Sequence, residues 1–216
     1  YTASYTVDNL CVTSPAMDTL LVLPYQSDFS VGVDGWSCIN GSWSIVEENG
    51  QHVLIQTQAA GEAISIVGHP LWKDYTVIAG FKLDSENQTG GDQLFGVVVN
   101  YTDSNNYFLW RIAKYSTGSW AVQLFSKIDG TFAKLFEGPF TGSINDWNQL
   151  ALTITDTDIK GYLNSQLIIQ QVNTSNHPAR GLAGVRTLDS TIKINSVCVI
   201  NGDIPNEVSR SLFLKE

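Results

Sequence analysis

The chain has 216 residues, 43% of them hydrophobic and only 15% charged, which is enough apolar material for one large all-β domain or two small ones. Its net charge of -9, from 21 acidic and 12 basic residues with no Lys or Arg cluster, excludes nucleic acid and anionic membrane surfaces as partners. Apolar runs such as Leu20 to Leu23 fall far short of the roughly 18 residues that span a bilayer, so no membrane insertion is expected.

Residues 1–19 read as an N-terminal arm and linker. Within them Tyr5-Thr-Val-Asp-Asn-Leu-Cys-Val12 has the same outline as Ile192-Lys-Ile-Asn-Ser-Val-Cys-Val199: apolar, polar, apolar, polar, polar, apolar, Cys, Val. The chain thus carries a closing strand twice, and a single sandwich needs it once. The first copy is expected to serve as the tail of a preceding module, to fold back on its own domain, or to complete a neighbour's sheet. In the last case backbone pairing supplies affinity, and Tyr5, Val7, Leu10 and Val12 form the assembly arm. The start at Tyr1 in place of Met is expected of a processed or excised chain.

Three cysteines cannot all pair internally. Cys11 and Cys198 hold the same place in the two echoed strands, so a disulfide between them is conceivable if those strands lie side by side, leaving Cys38 free. Three small buried apolar side chains are the other reading.

Strands are predicted over Leu20 to Leu23, Trp43 to Val46, His52 to Gln56, Ala63 to Val67, Tyr75 to Leu83, Leu94 to Tyr101 and Tyr107 to Lys114. They continue over Trp120 to Lys127, Phe132 to Phe136, Gln149 to Thr155, Ile159 to Leu163, Leu167 to Gln171, Leu182 to Arg186 and Ile192 to Val199. The connections Asp103-Ser-Asn-Asn106, Ser116-Thr-Gly118, Asp129-Gly130, Asp156-Thr-Asp158 and Asn164-Ser165 hold residues that tolerate tight turns. Strands joined so closely must be antiparallel, and they predict an all-β, two-sheet antiparallel sandwich with an N-terminal strand-like arm. Residues 205–216 form a C-terminal extension whose pattern leaves helix and strand both open.

Four Asn-x-Ser/Thr sequons make Asn40, Asn87, Asn100 and Asn173 candidates for N-glycosylation in an exported protein. Low charge and abundant Ser, Thr and Asn point the same way, to an extracellular or cell-surface setting.

Several stretches carry a family resemblance: Asp28-Phe-Ser, Gly35-Trp36-Ser, Asn40-Gly-Ser-Trp43, Trp72-Lys-Asp-Tyr75, and Gly96 to Tyr101 followed by Tyr107-Phe-Leu-Trp-Arg111. They continue with Asp129-Gly-Thr-Phe132, Trp147-Asn-Gln-Leu150 and Ile159-Lys-Gly-Tyr-Leu-Asn164. In this order they resemble the concanavalin A-like lectin/glucanase superfamily, and within it the laminin-G-like and sugar-binding modules of secreted prokaryotic proteins. The resemblance implies a jelly-roll domain over residues 20–204 and a sugar site on one exposed sheet face. It also admits a structural calcium ion near the chain ends, close to Asp28, with no other metal or cofactor indicated.

The resemblance brings no active site. Retaining glucanases of the superfamily place carboxylates on one strand as Glu-x-Asp-x-x-Glu, so that alternate residues face the same way. No strand here has that pattern, and Glu47 and Glu48 are adjacent, so they face opposite sides. His52, His69 and His177 are scattered, and neither His-Glu-x-x-His nor Gly-x-Ser-x-Gly occurs. Asp103-Ser-Asn105 and Asp156-Thr-Asp158 have oxygen donors but stand where turns need Asp.

Alternation along the middle strands sorts side chains into two sets. Phe95, Val97, Val99, Tyr101, Phe108, Trp110, Ile112, Val122 and Leu124 are the apolar set expected against the opposing sheet. The other set is Asn100, Tyr107, Arg111, Gln123, Phe125 and Lys127, the glycan-binding candidates, which offer rings for a sugar's apolar face and polar groups for its hydroxyls. Three functions follow in order. The first is a non-catalytic structural subunit of a surface or filamentous assembly, joined as a homopolymer by N-terminal strand addition; the second is a carbohydrate-binding module of a larger secreted protein; the third, for lack of paired acids, is a glycoside hydrolase.

Overall fold

The computed structural model describes residues 22–33, 35–86, 93–173 and 178–204. Among them no helix forms, and fifteen strands build two antiparallel sheets packed face to face as a jelly-roll sandwich. Sheet A comprises β1 (Tyr25–Ser27), β3 (Trp43–Glu48), β4 (Gln51–Gln56), β6 (Tyr75–Glu86), β11 (Asn148–Ile154), β12 (Asp158–Leu163), β13 (Gln166–Val172) and β15 (Ser190–Asn201). It runs in the order β13-β12-β11-β6-β15-β4-β3, with β1 also paired to β15. Sheet B comprises β2 (Trp36–Asn40), β5 (Glu62–Val67), β7 (Gln93–Asp103), β8 (Asn106–Lys114), β9 (Trp120–Ile128), β10 (Thr131–Pro139) and β14 (Leu182–Leu188), ordered β10-β9-β8-β7-β14-β5-β2.

The hairpins follow from turn chemistry. Asn49-Gly50, Asp129-Gly130 and Asn164-Ser165 each place two consecutive residues at positive φ, between 48° and 80°. That backbone twist matches the twist of the paired strands, so each turn closes a tight antiparallel pair. The predicted strands all appear except the first. Of Leu20 to Leu23, the described residues Val22 and Leu23 are not strand, and β1 begins only at Tyr25, after Pro24. The short strands β1 and β2 lacked an alternation long enough to read.

Apolar side chains from both sheets meet in one core. Trp110 is fully buried there, its indole within van der Waals reach of Gly161 on the opposite sheet, and its Nε1 donates to the Tyr162 carbonyl at 2.8 Å. A side chain at 161 would strike this ring, which is why the strand opposite carries glycine. Of the predicted inward set, eight line this core. Tyr101 does not. It packs on the outer face of sheet B with Tyr107 and Leu109, because the pairing of β7 with β8 shifts between Val99 and Asp103. An inserted residue in one strand reverses the facing of everything beyond it.

The echoed strand Ile192 to Val199 is β15, in the interior of sheet A. The doubled polar pair Asn195-Ser196 is a bulge: the register to β6 shifts between Ile194 and Ser196, so Ile192 and Ile194, then Val197 and Val199, all face the core. β6 pairs along one edge of β15. On the other edge β4 takes Ile192 to Ile194 and β1 takes Val197 to Val199.

Residues 1–12, with Tyr5, Val7, Leu10, Val12 and Cys11, lie outside the described residues; their counterpart β15 is paired along both edges. At Cys198 the flanking strand positions belong to Ile78 on β6 and Gln26 on β1. Cys198 is buried and Cys38 half-buried, with the Cys38 thiol donating to the Asn40 carbonyl at 3.4 Å. Burial pushes the Cys198 thiol up from its ordinary pKa.

Candidate functional site

The outer face of sheet B is unlike that of an ordinary solvated sheet. Ile64, Ile66, Val98, Tyr101, Tyr107 and Leu109 form an apolar cluster on it, all 6% exposed or less, with Phe125 and Leu182 packed alongside. Cross-strand register then lays polar groups in a row beside this cluster. Arg186 opposes Gly96, Gly96 opposes Arg111, Arg111 opposes Gln123, and Gln123 opposes Glu137. Directly paired residues on neighbouring strands share a face, so the row spans β14, β7, β8, β9 and β10.

The row is held by its own hydrogen bonds. Arg111 Nε donates to Gln123 Oε1 at 2.8 Å, which turns the Gln123 amide so that Nε2 donates to the Tyr115 hydroxyl at 2.7 Å and to Glu137 Oε2 at 3.0 Å. Glu137 Oε2 also accepts from Lys134 Nζ at 2.6 Å and from the Tyr115 hydroxyl. These donors, Lys134 foremost, then Tyr115 and Gln123, pull the Glu137 carboxyl down to a pKa of about 2. Glu137 is therefore ionised throughout the neutral range.

Aromatic rings complete the face. The Arg111 guanidinium lies 4.1 Å from the centre of the Phe125 ring, and Phe125 meets Phe132 edge-on at 6.0 Å. Lys127 Nζ sits 4.9 Å from the Phe132 ring and 5.5 Å from that of Tyr107, anchored by donation to the Ser104 carbonyl at 2.7 Å. Tyr107 stacks on Tyr101 at 5.8 Å. Burial pushes the Tyr107 hydroxyl up to about 12, with the neighbouring Arg186 guanidinium opposing the shift. Arg186 is in turn fixed by donation from Nε to Glu62 Oε1 at 2.5 Å. Phe132 remains 40% exposed and is the ring most open to a ligand.

Five of the six glycan-binding candidates, Tyr107, Arg111, Gln123, Phe125 and Lys127, come together on this face. Asn100 does not join them. It sits in the β7 bulge at φ 49°, only 2% exposed, with Nδ2 donating to the Pro178 carbonyl at 2.8 Å and its N–H donating to the buried Tyr75 hydroxyl. The same geometry bears on its sequon, since the nitrogen that would carry a glycan is buried and engaged. Asn173 Nδ2 likewise donates to the Thr155 carbonyl, and Asn40 Oδ1 accepts from the Ile64 N–H. Asn87 lies outside the described residues.

Sequence reasoning missed Tyr115, Phe132, Lys134, Glu137, Arg186 and Glu62. Tyr115 stands in the β8–β9 connection, outside any strand, and a register shift in β10 between Lys134 and Phe136 puts Glu137 on the face that simple alternation from Phe132 and Lys134 denies it. Arg186 and Glu62 come from strands far apart in the chain, and nothing local marks either.

The acids of sequence interest have ordinary partners. Asp103 Oδ1 accepts from the Asn105 N–H at 2.7 Å and Asp28 Oδ1 from the Ser30 N–H at 3.1 Å, both as turn closures. Glu48 on sheet A accepts from Lys193, which also reaches Asp84. No three His, Cys, Asp or Glu side chains gather into a metal-binding group among the described residues.

No family model matches the chain, and no curated protein is similar to it in sequence. Solved structures are similar in fold. The carbohydrate-binding module CBM66 from Bacillus subtilis superposes with a TM-score of 0.64 at 18% identity, over 77% of this chain and 96% of that one. The Emp46p carbohydrate recognition domain in its potassium-bound form matches at 0.60 and 14%, over 86% and 95%. A glycoside hydrolase family 16 endo-glucanase from Bacteroides ovatus matches at 0.59 and 10%, over 82% and 99%. The chain shares the two-sheet jelly-roll fold of these structures.

Proposed function

We propose that the protein is a non-catalytic, extracellular carbohydrate-binding module that holds a glycan on the outer face of sheet B. The observation that carries this is the prearranged mixture on that face: Arg111 fixed over Phe125 by Gln123, beside the exposed Phe132 and Lys127. A pyranose offers an apolar face that stacks on a ring and hydroxyls that take amide, guanidinium and carboxylate partners. Because the polar groups already hold one another in place, little side-chain freedom remains to be lost on binding. The names of similar structures, a carbohydrate-binding module and a carbohydrate recognition domain, support the same reading.

Hydrolysis is disfavoured by geometry. Among the described strand residues, the carboxylates on this face are Glu62 on β5 and Glu137 on β10, five strand spacings apart, or about 24 Å along the sheet. Glycosidases need their two carboxyl groups roughly 5 to 9.5 Å apart, one of them protonated. Glu137 is ionised and committed to Lys134 and Tyr115.

A glycan array followed by calorimetry on the best ligand tests the proposal. Arg111→Ala and Phe132→Ala are expected to weaken binding at least tenfold, about 1.4 kcal/mol, whereas Gln170→Ala on sheet A leaves it unchanged. An array with no ligand, or affinity indifferent to both substitutions, would sink the idea; release of reducing sugar would make the protein an enzyme instead.

A further inference from the structure

We propose that the saccharide held on the outer face of sheet B is acidic, bearing a carboxylate or sulfate group, and that Lys127 is the residue that selects it. This rests on the sugar reading of the same face and narrows it.

Charge on this face runs against the trend of the chain. Four of the 12 basic residues, Arg111, Lys127, Lys134 and Arg186, stand on it, whereas of the 21 acidic residues Glu62 and Glu137 are the two that join them among the described strand residues. Four positive charges against two negative leave a local surplus of two, while the remaining 8 basic and 19 acidic residues sum to -11. The turn acids at the hairpin ends do not reverse this: Asp103 is committed to its own turn, accepting from the Asn105 N–H at 2.7 Å and from Asn106 Nδ2 at 3.0 Å. Screening acts over ~8 Å at physiological salt, so a ligand seated here responds to the local surplus and little to distant acids. A polyanion wrapping the whole chain would be repelled, but an acidic sugar unit on this one face is not.

The surplus meets the open ring. Phe132, 40% exposed, has Lys127 Nζ at 4.9 Å and the Arg186 guanidinium at 5.5 Å from its centre. Arg186 is 4% exposed and donates to Glu62, so it adds little that a ligand could touch. Lys127 is the one in reach. Its ammonium has three N–H groups, of which the donation to the Ser104 carbonyl uses one. That bond and the rings of Phe132 and Tyr107 hold it in place before any ligand arrives. A pyranose stacked on Phe132 carries its exocyclic groups beyond the rim of the ring, on the side where Lys127 stands. A carboxylate or sulfate there takes a charge-assisted hydrogen bond, roughly twice as strong as the neutral one a hydroxyl would make.

An array of oligosaccharides in matched pairs tests this, each uronate beside its methyl ester and each sulfated glycan beside its desulfated form. The full chain is expected to bind the acidic members roughly tenfold more tightly than their neutral partners, and the series that responds tells carboxylate from sulfate. Lys127→Gln is expected to lower that acidic-to-neutral ratio by about threefold or more, with Tm as in the parent, while Lys73→Gln, exposed and away from this face, leaves the ratio unchanged. Polyglutamate, an anion without a sugar, is expected not to bind. Neutral members bound as tightly as acidic ones, or a ratio unmoved by Lys127→Gln, overturn acid selection and leave the sugar reading standing. An array with no ligand of either kind, or polyglutamate bound as tightly as the glycans, overturns both.

Discussion

At the residue scale, side chains here are constrained by what faces them across a strand as much as by their own type. Gly96 lies between Arg186 and Arg111 in the polar row, and a Cβ there would collide with the Trp110 carbonyl oxygen and come within 2.6 Å of the Arg111 Cα. The contact is to backbone, so no rotamer change relieves it. Gly96→Ala is therefore expected to destabilise the fold by about 1–3 kcal/mol through overpacking, read as a lowered urea midpoint. The Arg111–Gln123–Glu137 chain explains why the same face stays polar and ionised: each donor fixes the next acceptor, and Glu137 keeps its charge down to about pH 2. Tyr75 shows the complementary case. Its buried hydroxyl accepts from the Asn100 N–H while reaching the Gly181 and Leu182 carbonyls at 3.1 Å, so burial drives its pKa upward without leaving the group unsatisfied.

At the element scale, β15 is paired along both edges by β6, β4 and β1. Every one of those partners comes from residues 25–86. Deleting residues 1–12 is thus expected to leave Tm within about 2 °C and the oligomeric state by light scattering unchanged. A shift in assembly would instead support strand donation by residues 1–12. Edge protection has its own logic here: β10, at the edge of sheet B, presents Lys134, Glu137 and Pro139, residues that discourage further strands from adding. The same strand supplies Phe132, Lys134 and Glu137 to the proposed sugar site, so the features that blunt the edge also equip the face.

At the scale of the whole molecule, the sheets are closed by pairings between strands far apart in sequence: β6 with β15, β5 with β14, and β4 with β15. Loop-closure entropy must be overcome before such contacts stabilise anything. Refolding from urea is expected to take milliseconds to seconds, as in other sandwiches dominated by non-local contacts, and stopped-flow tryptophan fluorescence would show it. A microsecond phase carrying the full amplitude would contradict this topology.

The sequence by itself determined the class of the fold, because period-two alternation and turn residues such as Asn49-Gly50 and Asp129-Gly130 act locally and survive in any context. It also determined most of the candidate site: Tyr107, Arg111, Gln123, Phe125 and Lys127 lie on two strands joined by a hairpin, where alternation and register are set by the same few residues. Only the tertiary structure decided the rest. A bulge between Val99 and Asp103 moved Asn100 and Tyr101 off the faces that alternation assigned them, and a bulge depends on the partner strand. Arg186 and Glu62 reached the site through pairings more than 100 residues apart, and only the fold shows that β6, β4 and β1 occupy both edges of β15. Local chemistry writes strands and turns into a chain, but which strands become neighbours is settled by packing, and the proposed sugar face is made of neighbours.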